Sequence, residues 1–256
     1  MECPPSDVLP TVVPAPDTSQ PVITRTTVII PALNEEAALP GVLRTLRAMG
    51  LPRIVVVDNG STDRTSEVAR EHGAGVLAEP LRGYGAACWR GMLALDPAAE
   101  WVLFCDADGS DDLRELPRFF QAAAEGADFV LGDRRATEEG RRAMTPQQGF
   151  GNALATTLIT LGWRHRYHDL GPLRLISRAA LDRIAMRDRG FGWTVEMQVR
   201  AIEEGVRIAE IPVGYRRRQG GRSKISGTIR GSVHAGVIIL FTLGRLWFRR
   251  LRARTH

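Results

Sequence analysis

Cysteine is scarce in this sequence: Cys3, Cys88 and Cys105 are odd in number and show no C-x-x-C spacing. That excludes a disulfide framework and a cysteine-based zinc site, and it suits a reducing, cytoplasmic setting. Lysine is scarcer still. Of 34 basic residues, 33 are arginine and Lys224 is the sole lysine. No apolar run reaches the roughly 20 residues needed to span a bilayer. The first 21 residues hold six prolines and no basic segment followed by an apolar one. Residues 1–25 are therefore expected to be a disordered leader and not a signal peptide. Glycines are missing after the first apolar strand, which ends in Pro31-Ala32-Leu33-Asn34. A G-x-G-x-x-G dinucleotide cradle is thereby excluded at its usual place. Gly83-Tyr84-Gly85 opens a later helix without the final glycine, although its backbone N–H groups can still face an anion.

What is present suits a globular α/β protein. The chain has 256 residues, 44% hydrophobic and 25% charged, enough to bury a full core. Its net charge of +5 and isoelectric point near 9.7 point to anionic partners. Apolar runs at 27–30, 53–57, 75–78, 101–105 and 128–131 read as strands. Helical patterns separate them over 35–49, 64–71, 85–95 and 113–125. The second half is less regular, with helices expected at 145–161 and 194–204 and strands at 174–176 and 207–211. Strands alternating with helices imply a mainly parallel sheet covered on both faces, with ligands at the carboxyl ends of its strands. The polar motifs Asn34-Glu35-Glu36, Asp58-Asn59-Gly60-Ser61, Asp106-Ala107-Asp108 and Gly132-Asp133-Arg134-Arg135 all fall there.

The stretch "FCDADGSDD" carries the sharpest chemistry. Residues two apart on extended chain point to one side, so Asp106 and Asp108 direct both carboxylates one way and Ala107 the other. Carboxylates held that close repel unless a cation lies between them, and an all-oxygen donor set selects Mg²⁺ or Mn²⁺ over zinc. A calcium EF-hand loop is excluded because Gly109 falls at the fourth position instead of the sixth. Asp111 or Asp112 suffices to cap the following helix, which leaves Asp106 and Asp108 without a capping role. A carboxylate-held Mg²⁺ completes its shell with substrate phosphates, for which Arg134, Arg218, Arg222 and Lys224 are candidate counter-charges. The loop "RRRQGGRSK" has glycines that let backbone approach a ligand, although taken alone it reads equally as a solvated charge run.

Taken together, "VIIPALNEE", "VVVDNGSTDRT", "RGYGAA", "DADGSDD", "LGDRR", "DLGPLR", "GWTVEMQ" and "GGRSKISGT" resemble, in order, family 2 glycosyltransferases of the GT-A fold. The nearest branch is the dolichyl-phosphate and polyprenyl-phosphate sugar synthases. The resemblance covers about residues 26–228. It implies a nucleoside-diphosphate sugar donor, GDP-mannose or a UDP-hexose, and an inverting transfer. It implies that Pro31, Leu33, Glu35 and Asp58 hold the base and ribose. Asp106 and Asp108 would bind the metal, with Ser110 nearby and Ala107 lining the donor. Arg134, Arg174, Arg218 and Lys224 match positions that meet substrate. Asp108 and Arg134 would act in catalysis, and Glu196 is the candidate base for an alcohol acceptor, with pairing to a neighbouring arginine as its alternative.

Two departures bear on the acceptor and the nucleotide. "DNGS" replaces the commoner Asp-Asp pair, and Gly171-Pro172-Leu173-Arg174 lacks the serine that lipid-phosphate members use on the acceptor phosphate. Polyprenyl phosphate is the first acceptor expected, with a soluble small molecule or lipid hydroxyl as the alternative. The C-terminal segment 229–256 sets Leu243, Leu246, Trp247 and Phe248 beside Arg245, Arg249, Arg250, Arg252 and Arg254. That composition suits an interfacial helix on the anionic inner face of the cell membrane, or a helix packed on the domain with a basic tail. As a separate appendage, it is expected to be removable without harm to turnover of a short acceptor. A nucleotidyltransferase would also use a carboxylate pair, but shows a glycine-rich basic loop where this chain has Asn-Glu-Glu. A nucleic-acid-binding module would leave the carboxylate pair without a function.

Overall fold

Two sequence patterns build the framework. Unbroken apolar runs form strands buried on both faces, and amphipathic stretches form the helices that cover them. The computed structural model describes residues 18–190, 192–216, 218 and 229–254. Strand β1 (Thr26–Ala32) is buried almost throughout, and β2 (Arg53–Asp58) and β3 (Gly75–Ala78) extend the sheet on one side. On the other side lie β4 (Trp101–Phe104), β5 (Phe129–Asp133), β6 (Arg174–Ser177) and β7 (Ile208–Pro212). The order across the sheet is β3-β2-β1-β4-β6-β5-β7. Strand β6 is antiparallel to both neighbours, and every other pairing is parallel.

This topology decides where chemistry can sit. All strands but β6 run the same way, so the polar turns after β1, β2, β4 and β5 emerge at one edge. Strand β6 starts at that edge, with Arg174 in register with Phe104 and Leu131. The loop before it is thereby delivered to the same place. Gly171 in that loop lies so near the Gly132 carbonyl that a side chain would overlap it.

One face of the sheet is covered by α1 (Gln20–Thr24), α2 (Leu39–Ala48), α3 (Thr65–Glu71) and α5 (Leu116–Ala124). The other is covered by α4 (Tyr84–Leu93), α7 (Pro146–Trp163), α8 (Arg178–Ile184), α9 (Trp193–Glu203) and α10 (Ile229–Arg254). Short α6 (Glu138–Ala143) stands at the functional edge.

Two expectations are corrected. Residues 20–24 do not belong to a disordered leader: they form α1, with Pro21 in its first turn and Val22 and Ile23 buried against the core. Helix α10 is not a detachable appendage: it packs on α7 and α9 with Thr242, Leu243 and Leu246 buried. Removing it would uncover Trp163, Ile202 and their neighbours, each apolar side chain representing about 1.5–3 kcal/mol of burial.

Candidate active site

The turn after β1 is tied to the turn after β2. Asn34 adopts a left-handed φ of 53°, tolerated by Asn more readily than by most residues. Its side-chain oxygen accepts the Thr62 amide at 2.7 Å, and its own amide donates to Ser61 Oγ at 3.0 Å. Next, the Glu35 amide donates to Thr65 Oγ1 at 2.8 Å. These bonds aim the buried Glu35 carboxylate into the cleft, where it meets the Arg218 guanidinium.

At the end of β2, Asp58 accepts from Ser66 Oγ and, at 2.8 Å, from the Ser61 amide. Burial works to raise its pKa, but these hydrogen bonds outweigh it and hold the carboxyl below its ordinary value. Asn59 holds the neighbouring loop. Its Nδ2 donates to the carbonyls of Glu79 and Leu81 at 2.9 and 2.8 Å, and its Oδ1 accepts the Gly83 amide at 2.7 Å. A carboxylate has no donor for those carbonyls. Asn59→Asp is therefore expected to lower stability by about 2 kcal/mol or more, since it leaves acceptors facing acceptors. Urea unfolding measures this, and a midpoint equal to wild type would contradict it.

After β4 the chain turns through Gly109, φ 70°. Asp106, Ala107 and Asp108 line the cleft floor. Asp108 Oδ1 accepts the Ser110 amide at 2.9 Å, and Oδ2 faces Arg218 Nε at 3.1 Å. Asp111 Oδ2 accepts the Asp106 amide at 2.9 Å. Asp112 supplies the cap, accepting the Arg114 amide at 3.3 Å, so Asp106 and Asp108 are not needed for it. Burial, reinforced by Asp111 and Asp108, pushes the Asp106 carboxyl well above the carboxylate range. Burial and the nearby Asp108 likewise push Asp111 up to about 7, against the bond from Asp106. Arg218 and Arg134 offset this crowding only in part, since both are shared with other carboxylates, and the oxygen donors would fit a hard divalent cation. Among the described residues no three His, Cys, Asp or Glu side chains converge as a closed metal cage. A cation held by Asp106 and Asp108 would therefore need further oxygens from elsewhere to fill its shell. Ser110 is fully buried behind Asp108, and its carbonyl accepts the Arg216 amide at 2.9 Å.

Arg134 lies at the end of β5 and is held by Asp169, with Nε–Oδ2 at 2.7 Å and an Nη2–Oδ1 bond at 2.9 Å. The Tyr215 ring covers it at 4.8 Å. Its guanidinium thus stands behind the cleft wall and contributes fixed positive charge near Asp106 and Asp111. Two other expected residues are not among those lining the cleft. Arg174 is fully buried, donating to the carbonyls of Gly171, Leu170 and Thr194. Glu196 is 1% exposed. Its Oε1 accepts Arg200 Nε at 2.8 Å, and its Oε2 accepts the Arg187 and Asp188 amides at 2.9 and 2.5 Å. Both hold the framework: Arg174 secures the loop before β6, and Glu196 the loop after α8. Lys224 and Arg222 lie outside the described residues.

The cleft has a volume of about 1170 Å³, roomy enough for a nucleoside-diphosphate sugar. Pro31, Leu33, Glu35, Ala107 and Arg218 line it, whereas Asp58 does not and its neighbour Asn59 does. Sequence reasoning missed Tyr84, Arg142 and Tyr215 in its wall and Asp169 behind Arg134. The signals for Tyr84 and Asp169 were their places in "RGYGAA" and "DLGPLR".

Comparison with known proteins agrees with this geometry. The chain is 41% identical over 215 residues to an uncharacterized glycosyltransferase of Mycobacterium tuberculosis, covering 82% of this chain and 93% of that protein. It is 31% identical to undecaprenyl-phosphate mannosyltransferase of Micrococcus luteus, covering 83% of this chain and 92% of the relative. Its fold matches glucosyl-3-phosphoglycerate synthase from Mycobacterium tuberculosis in complex with Mn²⁺, uridine diphosphate and phosphoglyceric acid. That match has a TM-score of 0.70 at 22% identity and covers 89% of this chain and 79% of the other. The profile of glycosyl transferase family 2 matches residues 27–185. With the sheet, the carboxylate floor and these matches in agreement, the chain belongs to glycosyl transferase family 2 and is an enzyme of GT-A fold.

Proposed function

We propose that this enzyme moves a hexose from a nucleoside-diphosphate sugar to polyprenyl phosphate, with inversion, at a membrane surface. The carrying observation is the crowded carboxylate floor of the large cleft, with Arg218 between Glu35 and Asp108. Asp106 and Asp108 would hold Mg²⁺ or Mn²⁺, which supplies counter-charge to the departing diphosphate. Pro31, Leu33 and Glu35 form the wall for the nucleoside. Arg218 is placed to exchange its carboxylates for phosphate oxygens as donor binds, and Arg134 adds positive charge already fixed by Asp169. Charge preorganised in this way contributes most to stabilising a leaving diphosphate. A phosphate acceptor is itself a nucleophile and needs no general base, consistent with Glu196 being committed to Arg200.

Similarity to the undecaprenyl-phosphate enzyme supports the lipid acceptor. So do the exposed apolar residues of α7 and α10. Phe150, Leu154 and Leu161 recur on one face of α7, and Val237, Phe241 and Phe248 on one face of α10, with Trp247 nearby. Exposed Arg249 and Arg252 of α10 complement anionic lipid. No helix among the described residues is long and apolar enough to cross a membrane. A soluble acceptor is favoured by one observation, the absence of a serine before Pro172.

The test is sugar transfer from UDP- and GDP-hexoses to undecaprenyl phosphate, to phosphoglycerate, and to water, with Mn²⁺ or Mg²⁺. Transfer to the lipid is expected. Transfer to phosphoglycerate alone would replace the lipid reading. In parallel, the triple substitution Phe241→Ser, Trp247→Ser, Phe248→Ser is expected to reduce binding to anionic vesicles at least tenfold. Unchanged binding would remove the membrane surface from the account.

A further inference from the structure

The loop between α8 and α9 forms part of the cleft wall through Gly190. Its described residues are held by α4, α9 and α10. Trp89 Nε1 of α4 donates to the Asp188 carbonyl at 2.9 Å, and the Arg189 guanidinium lies 5.1 Å from the Trp89 ring centre. From α9, Glu196 accepts the amides of Arg187 and Asp188. The loop presses so closely on the start of α4 that a side chain at Gly85 would lie 2.5 Å from the Gly190 carbonyl. The last grip is α10. Asp188 Oδ1 accepts the Gly190 amide at 2.7 Å, while Oδ2 takes a long 3.4 Å hydrogen bond from Thr242 Oγ1 and faces Arg245 at 3.8 Å. A side chain at Gly192 would collide with both Thr242 and Asp188.

Asp188 therefore divides one carboxylate between the backbone of a cleft residue and the C-terminal helix. We infer that Asp188 is a positioning residue that transmits the seating of α10 to the Gly190 wall of the donor cleft. Its side chain is largely buried and acts through Gly190, itself contributing no group to the cleft floor. The coupling explains why Thr242, a polar residue on a helix with an exposed apolar face, is turned inward and buried. It also gives α10 a consequence for nucleotide binding that surface attachment alone would not. A misplacement of about 1 Å can cost on the order of 10²-fold in rate, so a shift of this wall should register in the cleft's function.

The inference rests on the donor-cleft reading for its probe. Calorimetric titration of the full-length protein with UDP and with GDP, each with Mn²⁺, selects the tighter nucleotide. If wild type binds neither, the donor-cleft reading fails and takes the inference with it. Given wild-type binding, Asp188→Ala is expected to weaken it about tenfold. Asp188→Asn keeps an Oδ1 acceptor for the Gly190 amide and turns Nδ2 toward the Thr242 hydroxyl, which can accept from it, and is expected to restore binding to within about threefold. Thr242→Val, which retains the shape of α10, tests the helix side and should weaken binding about threefold or more even if Asp188→Ala fails to fold. Arg44→Ala, exposed on α2, is the control and should match wild type. Wild-type affinity in a folded Asp188→Ala variant would overturn the inference. So would wild-type affinity in Thr242→Val, since the helix would then transmit nothing to the cleft.

Discussion

Asp108→Ala is expected to lower divalent-ion-dependent turnover of nucleotide sugar by about 10²-fold or more, the usual cost of losing a preorganised electrostatic partner. The protein should remain folded. The substitution gives up the Ser110 amide bond and the Arg218 contact, but it also removes a negative charge beside Asp106 and Asp111, whose carboxyls are already pushed upward by it. Thermal unfolding run beside the rate assay separates the two effects. A rate above about a tenth of wild type in a folded variant would contradict a metal-holding role for this carboxylate.

Asp169→Asn should produce the largest loss of stability of any conservative change near the site. It leaves the Arg134 guanidinium buried without its bidentate partner, a situation that costs about 3–5 kcal/mol. The loss should depend on pH. Burial by itself would raise the Asp169 pKa, but Arg134 and the amides of Arg134 and Leu170 overcome it and hold the carboxyl below its ordinary range. A carboxyl with a depressed folded pKa contributes stability above its unfolded value of about 3.9 and loses it as pH falls through the folded value. Urea midpoints of wild type and Asp169→Asn should therefore be far apart at pH 7 and converge below about pH 4. A gap that is small at neutral pH, or that persists in acid, would contradict the pairing as described.

Much of this was legible in the residues because it is written locally. The run at 27–30 became the central strand β1; Asp106 and Asp108 both reach the cleft floor, but through a turn after β4 that brings Ala107 there as well, not through the extended alternation expected. What could not be read was long-range. The orientation of β6 is not encoded in a four-residue apolar strand, yet it delivers Asp169 to Arg134. Short helices α1, α6 and α8 offer too few turns for a periodic signal. The helix at 35–49 begins only at Leu39, because Asn34 to Glu36 spend their polar groups on the turn after β2. Glu196 shows both sides. A base and a partner for a nearby arginine were equally open in sequence, and Arg200, one helical turn on, claims it. Of the apolar residues that composition set on α10, Trp247 and Phe248 are exposed whereas Leu243 and Leu246 are buried, and the Thr242–Asp188 contact was not readable.

Binding of Mn²⁺ followed by electron paramagnetic resonance, with and without UDP or GDP, addresses the central claim most directly. An open carboxylate site should hold the ion weakly alone and at least tenfold more tightly once a nucleoside diphosphate supplies further oxygens. Asp108→Ala should abolish that enhancement. Mn²⁺ affinity indifferent to both nucleotides, or an enhancement that survives Asp108→Ala, would show that the floor of the cleft is not where metal and donor meet.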